Sequence, residues 1–244
     1  MKNIEEREIQ NIVLNHRNRM NFRSNYGIEN EEEMSKHTHI IAQIGGNYCA
    51  KEGKTFVIDE NNRKILRFML YYVHGSNLCE NVFTEKRYKL SNNILLIGGV
   101  GTGKTLLMQI FSDYCRLLNL PMSFENMSVS QLINCQKTNG NIDKYTFCEN
   151  AENGKAKHLC LNDLGLEIGQ NIYGTNADNV IEEFLFSRYE LFQQKGLRYH
   201  ITANLTVKDF KEKYNDRLTD RFKAFNTLVL NGESRRGIEK INNK

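Results

Sequence analysis

Apolar and polar residues follow one another along this chain in two patterns, which predict two kinds of element. Short apolar runs are typical of buried strands, and apolar positions three or four residues apart are typical of amphipathic helices. The short runs predict strands at 93–97, 122–127, 158–163, 198–203 and 227–230. The periodic stretches predict helices at 1–23, 63–74, 104–118, 130–137, 179–194, 207–214 and 216–222. Because strands and helices alternate, we predict an α/β fold with a five-stranded parallel sheet flanked by helices.

Capping residues refine the ends of these elements. Asn62, Ser128 and Asp178 are predicted to cap the helices that follow them. The acidic run 29–33 is interpreted as a surface loop or the start of a helix. The apolar triplet 56–58 is predicted to be a core strand, although it could instead line the base of a nucleotide.

The 244 residues leave room for one domain of ordinary size and an appendage. Residues 1–60 are predicted to form a small, mostly helical N-terminal segment that binds a partner, and residues 61–244 to form the main domain. Hydrophobic residues make up 40% of the chain, yet no apolar run approaches the roughly 18 residues of a membrane span. The N-terminus is polar and acidic, unlike a signal peptide. The six scattered cysteines are typical of reduced thiols, so we expect a cytoplasmic protein without a membrane partner.

Charge adds little to this interpretation. Residues 1–62 hold eight Lys and Arg against ten Asp and Glu, and the remaining residues hold 25 against 19. The excess of basic residues in 63–244 is compatible with nucleic-acid binding, but it is too small to indicate such binding by itself.

The most informative stretch is a glycine-rich motif between a predicted strand and a predicted helix. Residues 98–105 match G-x-x-x-x-G-K-[ST], a phosphate-binding loop in the context that supports it. Backbone N–H groups of such a loop point at phosphate oxygens, and the helix that follows adds its positive dipole end. Lys104 is predicted to reach the β- and γ-phosphates of ATP, and the Thr105 hydroxyl to bind Mg²⁺. The predicted nucleotide-binding residues are Gly98, Gly99, Val100, Gly101, Thr102, Gly103, Lys104, Thr105 and Leu106.

Two other predicted strands end in polar residues that could act on a bound nucleotide. Asn162 and Asp163 are the last two residues of the third strand, and Asn204 follows the fourth. Carboxyl ends of parallel strands meet at one edge of a sheet, so these residues should lie beside the phosphate loop. Asp163 is predicted to hold the metal or polarise the attacking water, and Asn204 to orient that water; the alternative for Asn204 is a simple turn residue.

The ordered motifs resemble those of the AAA+ ATPases of the DnaC/IstB type, which include replicative-helicase loaders and helpers of some transposition systems. The resemblance covers roughly residues 60–237 and includes 98–105, Leu-Cys-Leu-Asn-Asp-Leu-Gly at 159–165, and Ile-Thr-Ala-Asn-Leu at 201–205. Three further segments are similar to motifs of that family: Arg-Tyr-Glu at 188–190, Arg-Leu-Thr-Asp-Arg-Phe at 217–222, and Gly-Glu-Ser-Arg-Arg at 232–236.

This resemblance implies a P-loop AAA+ ATPase domain at 61–244 that assembles into a homo-oligomer. Arg221 would be an arginine finger that reaches a neighbouring subunit's γ-phosphate, with Arg217 and Arg188 as alternatives. Arg236 would sense the nucleotide bound to its own subunit. A plainer interpretation is that Arg217 and Arg221 pair with Asp216 and Asp220 on a helix surface. The implied partners are ATP, single- or double-stranded DNA, and a helicase or transposase client.

The chain departs from the family at one place. The family has Asp followed by Glu or Asp at the end of the third strand, whereas this chain has Asn162-Asp163. If Asn162 faced the metal, Mg²⁺ would bind more weakly and Asp163 would have to serve as base or metal partner. We therefore expect slow hydrolysis. The alternatives are a nucleotide-dependent binding switch without meaningful turnover and, least favoured, a small-molecule kinase, since no arginine-bearing lid is visible.

Overall fold

The computed structural model describes residues 27–148, 155–165, 171–172 and 175–236. The helices are α1 (Glu31–Ala50), α2 (Glu60–Val73), α3 (Lys104–Leu117), α4 (Val129–Asn139), α5 (Ala177–Lys195), α6 (Val207–Lys213) and α7 (Asp216–Phe222). The strands are β1 (Asn93–Ile97), β2 (Phe124–Ser128), β3 (His158–Leu164), β4 (Asn171–Ile172), β5 (Thr175–Asn176), β6 (Tyr199–Ala203) and β7 (Phe225–Val229). The helix predicted at 1–23 lies outside the described residues. None of the helices in these ranges has the length and apolarity needed to cross a membrane.

The five longer strands form one parallel sheet in the order β2-β3-β6-β1-β7, which confirms the predicted fold class. Strand β1 lies inside the sheet between β6 and β7, and all five of its residues are buried. The last strand begins two residues earlier than predicted. The sequence pattern did not indicate the short antiparallel pair of β4 and β5.

Helices cover both faces of the sheet. On one face Ile94 and Leu96 pack in a cluster with the apolar residues of α1, α2 and α3. On the other face Leu95 and Ile97 pack with residues of α4, α5, α6 and α7. Successive side chains of a strand point to opposite faces, so the four-residue apolar run of β1 supplies both clusters.

Helix caps show where the sequence predictions were wrong by a few residues. The N-cap of α2 is Asp59, not Asn62; Asn62 is the third residue of the helix, and its side chain accepts from the Asp59 N–H in a capping box. The N-cap of α5 is Asn176, not Asp178. Ser128 caps α4 as predicted. The segment 56–58 is not a strand, because it forms the extended connection between α1 and α2.

Helix α1 lies in the segment predicted to be mostly helical, but the sequence did not predict its bounds. Asn30 caps it, and Glu31, Glu32 and Glu33 fill its first turn, so the acidic run is a helix start. The helix continues through Gly45-Gly46. Gly45 is buried because the ring of Phe56 lies against it; a Cβ there would be 2.5 Å from a ring carbon of Phe56.

We expect alanine at two adjacent glycines of α1 to change stability in opposite directions. Gly45→Ala should lower the free energy of unfolding by about 1–3 kcal/mol, because the new methyl group overlaps the Phe56 ring. Gly46→Ala should raise it by about 0.5–1 kcal/mol, because alanine favours the helix and nothing lies within 4 Å of the added carbon. Urea denaturation of both variants beside the wild type tests this, and equal effects would contradict it.

Candidate functional site

The segment after β1 has the geometry of a phosphate-binding loop. Gly101 and Gly103 adopt positive φ angles of 79° and 99°, which glycine reaches without steric penalty. A Cβ at Gly98 would lie 2.2 Å from the backbone oxygen of Leu230, so only glycine fits there. Helix α3 starts at Lys104, directly after the loop, and its N-terminal N–H groups face the same space.

The side chain of Lys104 lies inside the loop. Its Nζ donates to the backbone oxygens of Gly98 at 2.9 Å and Gly99 at 2.7 Å, and to Oδ1 of Asn204 at 2.6 Å. Burial lowers the pKa of Lys104 from its usual value, while the Asp163 carboxylate works in the opposite direction. Lys104 and Asn204, predicted from separate strands, are therefore brought together.

Asp163 is aimed at the loop by a β-bulge. Between the pairs Leu161–Ile201 and Leu164–Ala203, two residues of β3 lie opposite Thr202 alone. Asp163 takes a positive φ of 65°, which costs a non-glycine residue about 1–3 kcal/mol and is common at functional sites. The Thr105 hydroxyl donates to Asp163 Oδ1 at 3.1 Å.

Asn162 faces away from Thr105. Its side chain is buried, with a relative exposure of 3%, and its Nδ2 donates to Oδ1 of Asn126 at 3.1 Å. Its Oδ1 accepts from the Thr202 hydroxyl at 3.3 Å. The carboxylate hydrogen-bonded to Thr105 is thus that of Asp163, whereas the side chain of Asn162 bonds to Asn126 and Thr202.

Thr105 and Asp163 offer the oxygen ligands that suit Mg²⁺. This metal is usually held by one or two carboxylates together with waters and substrate phosphates, rather than by a cage of protein ligands. Consistent with that, the described residues contain no cluster of three or more His, Cys, Asp or Glu side chains that could hold a metal alone. The donor set therefore fits Mg²⁺ bound together with a nucleotide.

A cavity of about 770 Å³ opens beside the loop, within the usual size range of small-molecule sites. One wall consists of loop and strand-end residues, including Lys104, Thr105, Asp163 and Asn204. The opposite wall comes from the end of α1 and the connection to α2: Tyr48, Cys49, Glu52, Lys54, Thr55, Phe56 and Val57. Of this wall, the sequence had suggested only Phe56 and Val57, as a less favoured alternative.

The C-terminal tail crosses the phosphate loop. The Arg235 N–H donates to the backbone oxygen of Gly101 at 2.8 Å, and its guanidinium pairs with Asp59 at 2.6 Å. Ser234 lies so close to Gly101 that a Cβ there would be 2.1 Å from its hydroxyl. Arg236 is exposed and lines the cavity. Sequence reasoning missed Arg235, although it lies within the closing motif that indicated Arg236.

Solved structures of DnaA superpose on this chain. Domain III of the Thermotoga maritima replication initiation protein DnaA gives a TM-score of 0.52 at 21% identity, over 72% of this chain and 64% of that one. Replication initiator DnaA bound to AMPPCP and single-stranded DNA gives 0.53 at 17% identity, over 73% and 49%. AMPPCP-bound DnaA from Aquifex aeolicus gives 0.50 at 17% identity, over 72% and 48%. The fold is that of the AAA+ P-loop ATPases.

The chain spans about half the length of the two AMPPCP-bound DnaA structures. No protein-family model and no curated protein matches its sequence. At these identities the likeness concerns the fold, so the roles of individual residues depend on the site itself.

Three arginines, Arg188, Arg217 and Arg221, were predicted as possible arginine fingers. Arg188 is fully buried and donates to the backbone oxygens of Lys157 at 2.6 Å and Arg198 at 3.0 Å, so it cannot reach another subunit. Burial lowers its pKa to about 10. The alternative that Arg188 is the finger was therefore wrong. Its side chain instead links α5 to the residues that directly precede β3 and β6.

The other two arginines lie on α7 and are not among the described residues that line the cavity. The guanidinium of Arg221 lies over the rings of Phe186 and Tyr189, at 4.3 and 4.2 Å from their centroids. Arg217 is exposed. Within the described part of the chain neither pairs with Asp216 or Asp220, and Asp220 pairs with Lys223 at 2.7 Å instead. The surface-pair interpretation is therefore wrong, and the finger role of Arg221 stays a prediction.

At position 163 we expect glycine to be a better replacement than alanine. Both remove the carboxylate, but a left-handed backbone costs alanine about 1–2 kcal/mol that glycine does not bear. Asp163→Gly should therefore have a higher free energy of unfolding than Asp163→Ala in urea denaturation without nucleotide. Glu183, exposed within α5, is the control, since glycine there should be less stable than alanine by about 0.5–1 kcal/mol. The same order at both positions would contradict the left-handed geometry.

Proposed function

We propose that this chain is an ATP-binding AAA+ ATPase of the DnaC/IstB type, which assembles when ATP is bound and acts on DNA or on a DNA-bound machine. The observation that supports this best is the meeting of Lys104, Thr105, Asp163 and Asn204 at one edge of the sheet, beside one cavity. The AAA+ fold and the ordered motifs agree with it. The six cysteines, all unpaired, favour a reducing compartment such as the cytoplasm.

Each residue of the site has a distinct role in this proposal. The backbone N–H groups of residues 99–104 and the Lys104 ammonium bind the phosphates of ATP. Oxygens of Thr105 and Asp163 would hold Mg²⁺, which would neutralise charge on the phosphates. The Asn204 amide, already within reach of Lys104, orients the water that attacks the terminal phosphate. The ammonium group of Lys104, which is shielded from water, stabilises the negative charge that develops on the phosphates during the reaction.

Slow turnover follows from the number of acids at the site. Among the described residues that line the cavity, the carboxylates are those of Asp163 and Glu52, and Asp163 is the one hydrogen-bonded to Thr105. One carboxylate cannot efficiently bind the metal and also activate the water. This arrangement also favours the second candidate function, a nucleotide-dependent switch that binds ATP without meaningful turnover.

The sequence motifs and the fold support several partners for this chain. A finger at Arg221 acts on a neighbouring subunit, so it requires a homo-oligomer. One DnaA structure of the same fold contains single-stranded DNA. We propose DNA, and a helicase or transposase client, as partners of this chain too. Residues 1–60 are proposed to bind the client, and Arg236, exposed at the cavity, to sense the nucleotide.

Replacing Lys104 should weaken nucleotide binding while the fold is retained. Lys104→Ala should reduce the affinity for a fluorescent ATP analogue by about 10- to 100-fold, the equivalent of one hydrogen bond to a charged group. The matched control is Lys195→Ala, an exposed lysine in the last turn of α5, which should leave the affinity unchanged. Equal affinity in both variants would rule out the proposed ATP site.

Replacing Arg221 should affect turnover but not binding. In phosphate-release assays with single-stranded or duplex DNA, Arg221→Ala should lower the rate by a factor of about 10³ or more if the arginine acts in trans. Affinity for ATP should stay at the wild-type value. Arg217→Ala is the companion variant, because a larger loss there would assign the finger to Arg217.

A wild-type kcat of tens per second, above the enzyme median of about 10 per second, would contradict slow hydrolysis. No turnover in any condition would favour the switch.

A further inference from the structure

A partly buried chain of hydrogen bonds starts at the backbone of Asp163. The Asp163 N–H donates to the hydroxyl of Thr202 at 3.0 Å, and that hydroxyl donates to Oδ1 of Asn162 at 3.3 Å. Asn162 Nδ2 donates to Oδ1 of Asn126 at 3.1 Å, and Asn126 Nδ2 donates to the backbone oxygen of Met108 at 3.2 Å. Thr202 and Asn162 are almost completely buried, with relative exposures of 0% and 3%.

The direction of every hydrogen bond in this chain is fixed. A hydroxyl has one hydrogen to donate, so Thr202 accepts from the Asp163 backbone and donates to Asn162. Asn162 must therefore present its oxygen to Thr202 and its NH₂ group to Asn126. A carboxylate at position 162 would have no hydrogen for the oxygen of Asn126, and it would place a charge on a buried side chain beside the neutral Asn126 and Thr202.

The same residues define the bulge. Asn162 and Asp163 are the two β3 residues that lie opposite Thr202, and the bulge gives Asp163 its positive φ. A bulge of this kind redirects a side chain, and here the redirected carboxylate meets the hydroxyl of Thr105. A strained backbone persists only where its surroundings hold it, which is what the hydrogen-bond chain supplies.

We propose that Asn162 and Thr202 are positioning residues, which hold the bulge so that the Asp163 carboxylate faces Thr105. On this view Asn162 is not a metal ligand that has lost its charge, and restoring an acid at 162 would not restore a ligand. The inference rests on the proposed function, since it concerns the same metal and nucleotide site.

The test measures the affinity for ADP in EDTA and again in Mg²⁺. The ratio of the two affinities, the Mg²⁺ gain, reports on the metal site separately from the phosphate loop. Thr202→Val keeps the shape but removes the acceptor for the Asp163 N–H, whereas Thr202→Ser keeps it. We expect Thr202→Val to lower the gain in affinity on adding Mg²⁺ by about 10- to 100-fold, as for other residues that support a metal ligand. Thr202→Ser should retain the gain, and both variants should bind ADP in EDTA as the wild type does.

Asn162→Asp provides the sharper comparison. We expect it to reduce the Mg²⁺ gain and lower the melting temperature, whereas Asn134→Asp, on the exposed face of α4, should change neither. A larger Mg²⁺ gain in Asn162→Asp would overturn the inference, because residue 162 would then face the metal. An unchanged gain in Thr202→Val would overturn it as well. If Asn162→Asp does not fold, the two Thr202 variants decide.

Amide exchange keeps the inference separate from the proposed function. In nucleotide-free protein the Asp163 amide should exchange slowly by NMR, faster in Thr202→Val, and slowly again in Thr202→Ser. A wild type that binds no nucleotide would contradict the proposed function, and the amide exchange would then decide the inference alone. Fast exchange of Asp163 in the wild type, or equal rates in the valine and serine variants, would overturn it.

Discussion

Parallel pairing of β1 with β6 and β7 is the constraint on which the site depends. The register aligns Ile97 with Ala203 on one side and with Val229 on the other. The segments that follow these three strands therefore leave the sheet at the same level. The phosphate loop, Asn204 and Leu230 become neighbours for this reason, and Gly98 has to pass the Leu230 carbonyl without a side chain. The sheet thus requires glycine at position 98 independently of any phosphate.

Local signals explain what the sequence could predict. The glycine spacing of the loop, the apolar run of β1 and the helix pattern after Lys104 are read from neighbouring residues. The orientation of Asn162 and Asp163 depends instead on how β3 pairs with Thr202, a residue about forty positions away. Alternation along a strand places two adjacent residues on opposite faces, but it cannot tell which of them a bulge turns towards Thr105.

Tertiary packing explains the other differences. Helix α1 runs through two glycines because apolar residues such as Ile41 bury one of its faces, and packing overrides the low helix propensity of glycine. Arg188 had the motif of a functional arginine, yet its position on the buried face of α5 gives it backbone carbonyls as partners. Exposure of this kind is decided by how elements pack, so a motif alone could not separate Arg188 from Arg217.

The contact between Gly45 and Phe56 has a thermodynamic consequence. Phe56 rests against α1 and also lines the cavity, so the packing of α1 and the occupation of the cavity share one side chain. If a bound molecule changes how Phe56 packs on α1, the two equilibria are linked, and the linkage is reciprocal. A molecule bound in the cavity that favours this packing would strengthen the hold on α1, and a protein that drew α1 away would release that molecule by the same factor. Helix α1 would in this sense take part in the binding equilibrium of that molecule.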